Sequence, residues 1–205
     1  MRRIGIMGGT FDPIHNGHIE VARQAYEEYH LDEVWFMPSG HPPHKKDHAV
    51  TDAADRCEMT KLAIREYPCF RFSDFEVRRQ GNTYTAQTLT LLREQYPDTV
   101  FFFIIGADSL FEIENWYMPE KIMEQAVLLV AGRAYSRAER SLDEQIRWLR
   151  ERYHSEIFRL HLEEMNVASV SLRKMAAEGR DLSSYVPAAV WEYIQAHHLY
   201  AERQD

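Results

Sequence analysis

Arg3-Ile4-Gly5-Ile6-Met7-Gly8-Gly9-Thr10-Phe11-Asp12-Pro13-Ile14-His15-Asn16-Gly17-His18 is apolar up to Met7, breaks at a glycine pair, and runs into an amphipathic segment. The run Arg3 to Met7 reads as a buried strand of a parallel sheet. Asn16 to Tyr29 reads as a helix, with apolar positions at Ile19, Val21, Ala22, Ala25, Tyr26 and Tyr29. Strand, glycine turn and helix make one half of a β-α-β unit, and the rest of the chain repeats that alternation.

Outward from this stretch, Val34 to Met37 is a second short strand, stopped by Pro38. Ser39 to Ala49 carries three histidines, two prolines and two lysines with little apolar content, as a loop does. Asp52 to Tyr67 has helical spacing. Phe70 and Phe72 alternate with polar neighbours as a strand, and Phe75 to Val77 suggests another nearby. Thr85 to Gln95 is a helix. Val100 to Ile105 (VFFFII) is apolar throughout and closes on Gly106, and Val127 to Ala131 closes on Gly132 in the same way. Helix Leu142 to Tyr153, strand Ile157 to Leu160, and helices Ser169 to Ala177 and Pro187 to His197 complete the chain.

Alternating strands and helices imply right-handed crossovers and an α/β, Rossmann-like, doubly wound parallel sheet with C-terminal helices. No repeat, low-complexity tract or linker divides the chain, so residues 1–205 are expected to form a single domain. Ligands of such sheets gather at the carboxyl ends of the strands. The residues just after Met7, Met37, Ile105 and Ala131 are therefore the places to seek chemistry.

Composition narrows the partners. Hydrophobic residues make up 45% and charged residues 27% of the 205, as in an ordinary globular domain. A formal net charge of -8 argues against coating nucleic acid, but a few clustered cations still suffice for a small anion. The two cysteines, Cys57 and Cys69, form no CxxC pair and give no disulfide framework or zinc site. No signal-peptide core or membrane-length apolar run occurs, and the expected address is the cytoplasm.

The glycine pair and helix start describe an anion site. Glycine lets main-chain N–H groups approach phosphate closely, and the helix start adds unsatisfied donors and a positive dipole end. His15 and His18, three apart, project to one side as two imidazole donors. Such a site suits phosphoryl or nucleotidyl transfer, which needs positioning and charge neutralisation more than a covalent nucleophile. The P-loop and dinucleotide fingerprints are absent.

GGTFDPIHNGH (residues 8–18) resembles the nucleotidyltransferase signature, whose core (T/H)xGH is His15-Asn16-Gly17-His18 here. Within that superfamily the chain is most similar, over nearly its whole length, to bacterial nicotinate-nucleotide adenylyltransferases. The resemblance implies adenylyl transfer from ATP to nicotinate mononucleotide, giving nicotinate adenine dinucleotide and pyrophosphate in NAD biosynthesis. ATP would lie along Gly8, Gly9, Thr10 and Phe11. Ile105-Gly106-Ala107-Asp108 matches the family's IGxD, with Gly106 and Asp108 at the ATP ribose, although Asp108 could equally cap the next helix.

His44-Lys45-Lys46 resembles the family's PHK loop and would put Lys45, with His44 beside it, on phosphate. The family's (S/T)YT matches Thr83-Tyr84-Thr85, so Thr85 and Tyr84 would meet the pyridine carboxylate; on residue type alone Thr83 or Thr85 is a helix cap. Trp116 would stack on the pyridine ring. Arg133, whose fork suits phosphate, would take the mononucleotide phosphate, although this chain reads Arg-Ala-Tyr where the family has RPGY. Val167 to Arg173 matches ISSTxxR in Ser169 and Arg173, with Ala168 and Val170 replacing hydroxyl residues. Ser169 would cap its helix and offer N–H groups to the β- and γ-phosphates, and Arg173 would steady the leaving pyrophosphate. Catalysis would fall to His18, His15, Lys45 and Arg173.

Mg2+ is expected to arrive with ATP, held by phosphate oxygens and water, with no carboxylate cage. The alternatives are adenylyl transfer to pantetheine phosphate and a non-catalytic nucleotide-binding sensor. Members of the resembled family form various assemblies, and a homodimer is the expectation for this chain.

Overall fold

The N-terminal apolar run is β1 (Arg2–Gly9), and it lies inside the sheet with a parallel neighbour on each side. The computed structural model describes residues 1–40, 50–132, 140–162 and 167–201. With β2 (Glu33–Pro38), β3 (Phe70–Phe72), β4 (Thr99–Gly106), β5 (Val127–Ala131) and β6 (Ile157–Arg159), β1 makes a six-stranded sheet in the order β3-β2-β1-β4-β5-β6. Every pairing is parallel. The winding reverses between β1 and β4, which places the crevice of a doubly wound sheet at Gly8–Gly9 and Gly106.

Pleating divides each central strand between two cores. From β4, Phe102 and Ile104 face one side, while Phe101, Phe103 and Ile105 face the other. From β5, Val127, Leu129 and Ala131 go with the first set, Leu128 and Val130 with the second. The first core is closed by α1 (Asn16–Glu28), α2 (Ala53–Ile64), α7 (Ser169–Ala177) and α8 (Ala188–Ala196), through residues such as Ala22, Met59, Leu172 and Ile194. The second is closed by α3 (Thr85–Gln95), α4 (Ala107–Glu112), α5 (Pro119–Gln125) and α6 (Leu142–Tyr153), through Leu89, Leu110, Ile122 and Leu149. Burying each large aliphatic or aromatic side chain stabilises the fold by about 1.5–3 kcal/mol. Gly5 is required by this packing, since a Cβ there would stand 2.9 Å from Leu31 Cδ1.

Several local expectations are corrected. Phe75 to Val77 is a turn, not a strand, because the segment folds back to bring Glu76 toward α3. Pro38 does not stop β2 but is its last paired residue, opposite Gly9, where its missing N–H costs no internal ladder bond. α4, foreseen only as a helix that Asp108 could cap, and α5, not foreseen, are additions to the expected elements. They have six and seven residues, too few for helical periodicity to show.

Candidate active site

The carboxyl ends of β1, β4 and β5 open into a cleft of about 1360 Å³. Its lining brings together Gly8, Gly9, Thr10, His15 and His18 from the first turn, Gly106 and Asp108 after β4, Tyr84, Thr85 and Trp116 on one flank, and Ser169 on another. These residues span much of the sequence, and the switch in winding is what makes them neighbours.

The first turn is shaped by contacts that admit few alternatives. A Cβ on Gly9 would lie 2.9 Å from the Phe11 ring, and one on Gly17 would lie 3.0 Å from His15 Nδ1. Phe11 has φ +51° and is 2% exposed, so its side chain belongs to the core and does not line the cleft, which leaves its main chain as the part available to ATP. Its ring meets the His18 ring edge-on, centroids 5.1 Å apart, and so supports that imidazole from below. The His15 and His18 rings stack at 3.7 Å. The His15 main-chain N–H donates to His18 Nδ1 at 3.2 Å, which leaves the neutral ring's proton on Nε2. Burial pulls the His15 pKa down to about 4, so at neutral pH this ring is uncharged. His15 therefore acts as a buried, neutral prop for His18.

After β4, Gly106 and not Asp108 is the N-cap of α4. Asp108 sits in the first turn with its carboxylate folded back, so that a Cβ on Gly106 would lie 2.5 Å from Asp108 Oδ1. Gly132, at φ +129°, packs against Ala107 and closes β5 onto the same crevice. Arg133, His44 and Lys45 lie outside the described residues.

The α3 flank is organised by a residue that sequence reading passed over. Glu76 Oε1 accepts from the Thr88 hydroxyl at 2.7 Å and Oε2 from the Thr83 hydroxyl at 3.2 Å. Arg79 Nη1 donates to Thr88 Oγ1 at 3.0 Å. Neither Thr83 nor Thr85 caps α3: the N-cap is Tyr84, without a side-chain bond, because Thr83 is committed to Glu76. Burial pushes the Glu76 carboxyl up despite these donors. Tyr84 packs on Tyr117 with centroids 4.7 Å apart, and Trp116 stands edge-on to Phe103 at 6.4 Å, so the flank presents aromatic surface beside a helix start.

α7 brings the C-terminal part of the chain to the first turn. Its N-cap is Ala168, and Ser169 does not cap; the Ser169 hydroxyl donates instead to the Pro13 carbonyl at 3.0 Å. Arg173 Nη1 donates to the Asp12 carbonyl at 2.6 Å, and Arg173 does not line the cleft directly. The convergence of the two chain ends is present, with Arg173 acting first as a strut under the turn. A guanidinium has five donors, so this bond leaves others for an anion.

Asp12, 1% exposed, and Arg56, 2% exposed, form the base of the turn. Arg56 donates to the carbonyls of Thr10 (2.7 Å), Thr51 (2.9 Å) and Gly40 (3.4 Å). Asp12 accepts from the Thr51 N–H at 3.3 Å and from the Tyr200 hydroxyl at 2.8 Å. No sequence signal marked Arg56, Glu76 or Tyr200. An arginine and a glutamate usually read as surface, and only the fold shows them buried. Cys57 is buried with its thiol pushed up by burial, as an inert cysteine is. No helix among the described residues is long and apolar enough to cross a membrane.

The family model described as Cytidylyltransferase-like matches residues 6–184. A protein of Lachnoclostridium phytofermentans named as a probable nicotinate-nucleotide adenylyltransferase is 45% identical over 98% of this chain and 100% of its own. One of the same name from Thermomicrobium roseum is 40% identical over 98% of this chain and 92% of its own. Among solved structures, Plasmodium falciparum nicotinic acid mononucleotide adenylyltransferase complexed with NaAD matches with a TM-score of 0.80 at 20% identity, covering 98% of each chain, and so shares the fold.

Proposed function

The chain belongs to the nicotinate-nucleotide adenylyltransferases, and on that premise we propose that it transfers the AMP of ATP to nicotinate mononucleotide in NAD synthesis, releasing pyrophosphate. The observation that carries the assignment is the single cleft in which the Gly8–His18 turn, the Tyr84–Thr85 helix start with Trp116, and the start of α7 face one another. One wall suits a triphosphate, another an aromatic carboxylate, and the space between them is where the phosphates would meet.

In this reading the ATP triphosphate lies over the Gly8–Gly9 turn and the first turn of α7, whose leading N–H groups have no partner within the helix. The adenosine ribose meets Gly106 and Asp108. The phosphate of nicotinate mononucleotide attacks the α-phosphorus in line, and the bond to the bridging oxygen of pyrophosphate breaks. His18 Nε2–H donates to the α-phosphoryl oxygens as charge grows there. His15, neutral and buried, holds His18 in orientation. Arg173 steadies the departing pyrophosphate, with Lys45 and His44 assigned to phosphate on resemblance alone. No general base is needed, because the attacking phosphate is already ionised. The pyridine carboxylate meets the start of α3 at Thr85 and Tyr84, Trp116 covers the ring, and Arg133 takes the mononucleotide phosphate. A helix start favours carboxylate over neutral amide.

A divalent metal accompanies ATP in nucleotidyltransferases of this kind. We assign Mg2+, which binds through phosphate oxygens and keeps its waters. Residues 1–205 act in this proposal as one domain, in the cytoplasm. Homodimeric assembly is carried from the family resemblance, and sedimentation velocity tests it.

The deciding experiment incubates the protein with ATP, Mg2+ and, in parallel, nicotinate mononucleotide, nicotinamide mononucleotide or phosphopantetheine, and measures pyrophosphate. Release is expected chiefly with nicotinate mononucleotide. Preference for phosphopantetheine would move the chain to the other acceptor class, and ATP binding without turnover would make it a sensor.

A further inference from the structure

We propose that Tyr200 is a positioning residue for nucleotide binding, acting through Asp12 on the Gly8–His18 turn that receives the triphosphate. This rests on the function proposed above. Asp12 lies in that turn, three residues before His15, and its carboxylate is almost wholly removed from solvent. A buried carboxylate is costly unless its oxygens accept hydrogen bonds. Oδ1 is met by the Tyr200 hydroxyl at 2.8 Å and Oδ2 by the Thr51 N–H at 3.3 Å. The hydrogen-bond donors to the Asp12 carboxylate therefore come from 39 and 188 residues away in sequence.

The same turn is gripped from other directions. Arg173 holds the Asp12 carbonyl at 2.6 Å, and Arg56 holds the Thr10 carbonyl at 2.7 Å. Tyr200 is thus one member of a set of donors that share a single task, fixing residues 10–12 from below. Its own backbone is at φ +64°, in the left-handed region that a non-glycine residue seldom occupies. The Leu199 N–H donates to the Ile194 carbonyl at 3.0 Å, wrapping the chain back over the end of α8 and aiming the phenol at Asp12. Burial and the Asp12 charge both push the phenol's pKa up, so it stays a donor across the working pH range. Loss of the hydroxyl would leave Oδ1 unsatisfied and free the turn to shift, which Gly8, Gly9 and Thr10 would pass on to the triphosphate. The acceptor pocket on the α3 flank shares none of these bonds.

The test uses the full chain and compares wild type, Tyr200→Phe, Asp12→Asn, the double variant and Tyr193→Phe. Tyr193 is a matched control, since its hydroxyl donates to Asp55 at 2.8 Å and has no bond to Asp12. Steady-state rates are measured with each substrate varied separately, and calorimetry measures affinity for a non-hydrolysable ATP analogue. Tyr200→Phe is expected to lose about tenfold in analogue affinity and in kcat/KM for ATP, with the mononucleotide KM within about twofold of wild type. Tyr193→Phe should match wild type, and the double variant should be no worse than Asp12→Asn alone, as for residues acting through one contact. Unchanged analogue affinity in Tyr200→Phe, equal losses for both substrates, or additive losses in the double variant would overturn the proposal. Wild type that binds the analogue but makes no dinucleotide would overturn the assigned reaction, while a tenfold affinity loss in Tyr200→Phe would still uphold the tether.

Discussion

Replacing Arg56 by methionine removes the guanidinium that holds three main-chain carbonyls while keeping much of the apolar stem. The contacts to Thr10 at 2.7 Å and Thr51 at 2.9 Å are well formed, and the contact to Gly40 at 3.4 Å lies at the edge of bonding distance. Two charge-assisted bonds at roughly 1.5–3 kcal/mol each give a gross loss of about 3–6 kcal/mol. Burial works against the Arg56 charge, and Asp12 is the largest offset to it. Methionine releases that desolvation cost, so the net loss should be about 3 kcal/mol. For a chain of this size that corresponds to a fall in Tm of roughly 6–12 °C. Urea denaturation at pH 7, with equal m-values for the two proteins, measures the difference. Arg56→Lys keeps the charge but offers a single point donor, and should lose about half as much. An Arg56→Met protein within about 1 kcal/mol of wild type would refute the claim that this side chain holds the turn.

Other expectations concern the cleft itself. His18→Ala should lower kcat by roughly 10²–10³, as removal of one preorganised donor does; near wild-type turnover would remove His18 from the mechanism. His15 has a folded pKa of about 4 against 6.5 unfolded, so between those values the unfolded state binds more protons and stability falls as pH falls. The wild type should lose roughly 2 kcal/mol more than His15→Asn between pH 7 and pH 5, by urea denaturation at both. The Glu76 carboxyl, pushed up, contributes with the opposite sign and cancels in that comparison; identical pH slopes would count against burial as the cause. Glu76→Ala should raise the mononucleotide KM about tenfold by releasing Thr83 and Thr88, with the ATP KM within about twofold and Glu76→Gln milder, read from initial rates. Equal effects on both substrates would argue that Glu76 does not serve the α3 flank alone.

Much of the frame was legible because its signals are local. Val127–Ala131, Leu142–Tyr153 and Ser169–Ala177 stand where apolar runs and spacing put them, and GGTFDPIHNGH marks the crevice. The extent of α4 and the whole of α5 were not legible, since about two turns of helix carry no period. The caps at Thr83, Asp108 and Ser169 failed for another reason. Each side chain has a competing partner or posture that residue type cannot reveal: Glu76 for Thr83, the fold-back over Gly106 for Asp108, and the Pro13 carbonyl for Ser169. The Asp12–Arg56–Tyr200 assembly was invisible because its bonds join residues as far as 188 positions apart.

The central claim is that one nucleotide touches both ends of the chain, and a crystal structure with a non-hydrolysable ATP analogue and Mg2+ tests it most directly. The account predicts phosphate oxygens within hydrogen-bond distance of His18 Nε2, a Gly8–Gly9 amide, and either a first-turn amide of α7 or the Arg173 guanidinium. A triphosphate bound at His18 with no contact to α7, or at α7 with none to the first turn, would contradict it.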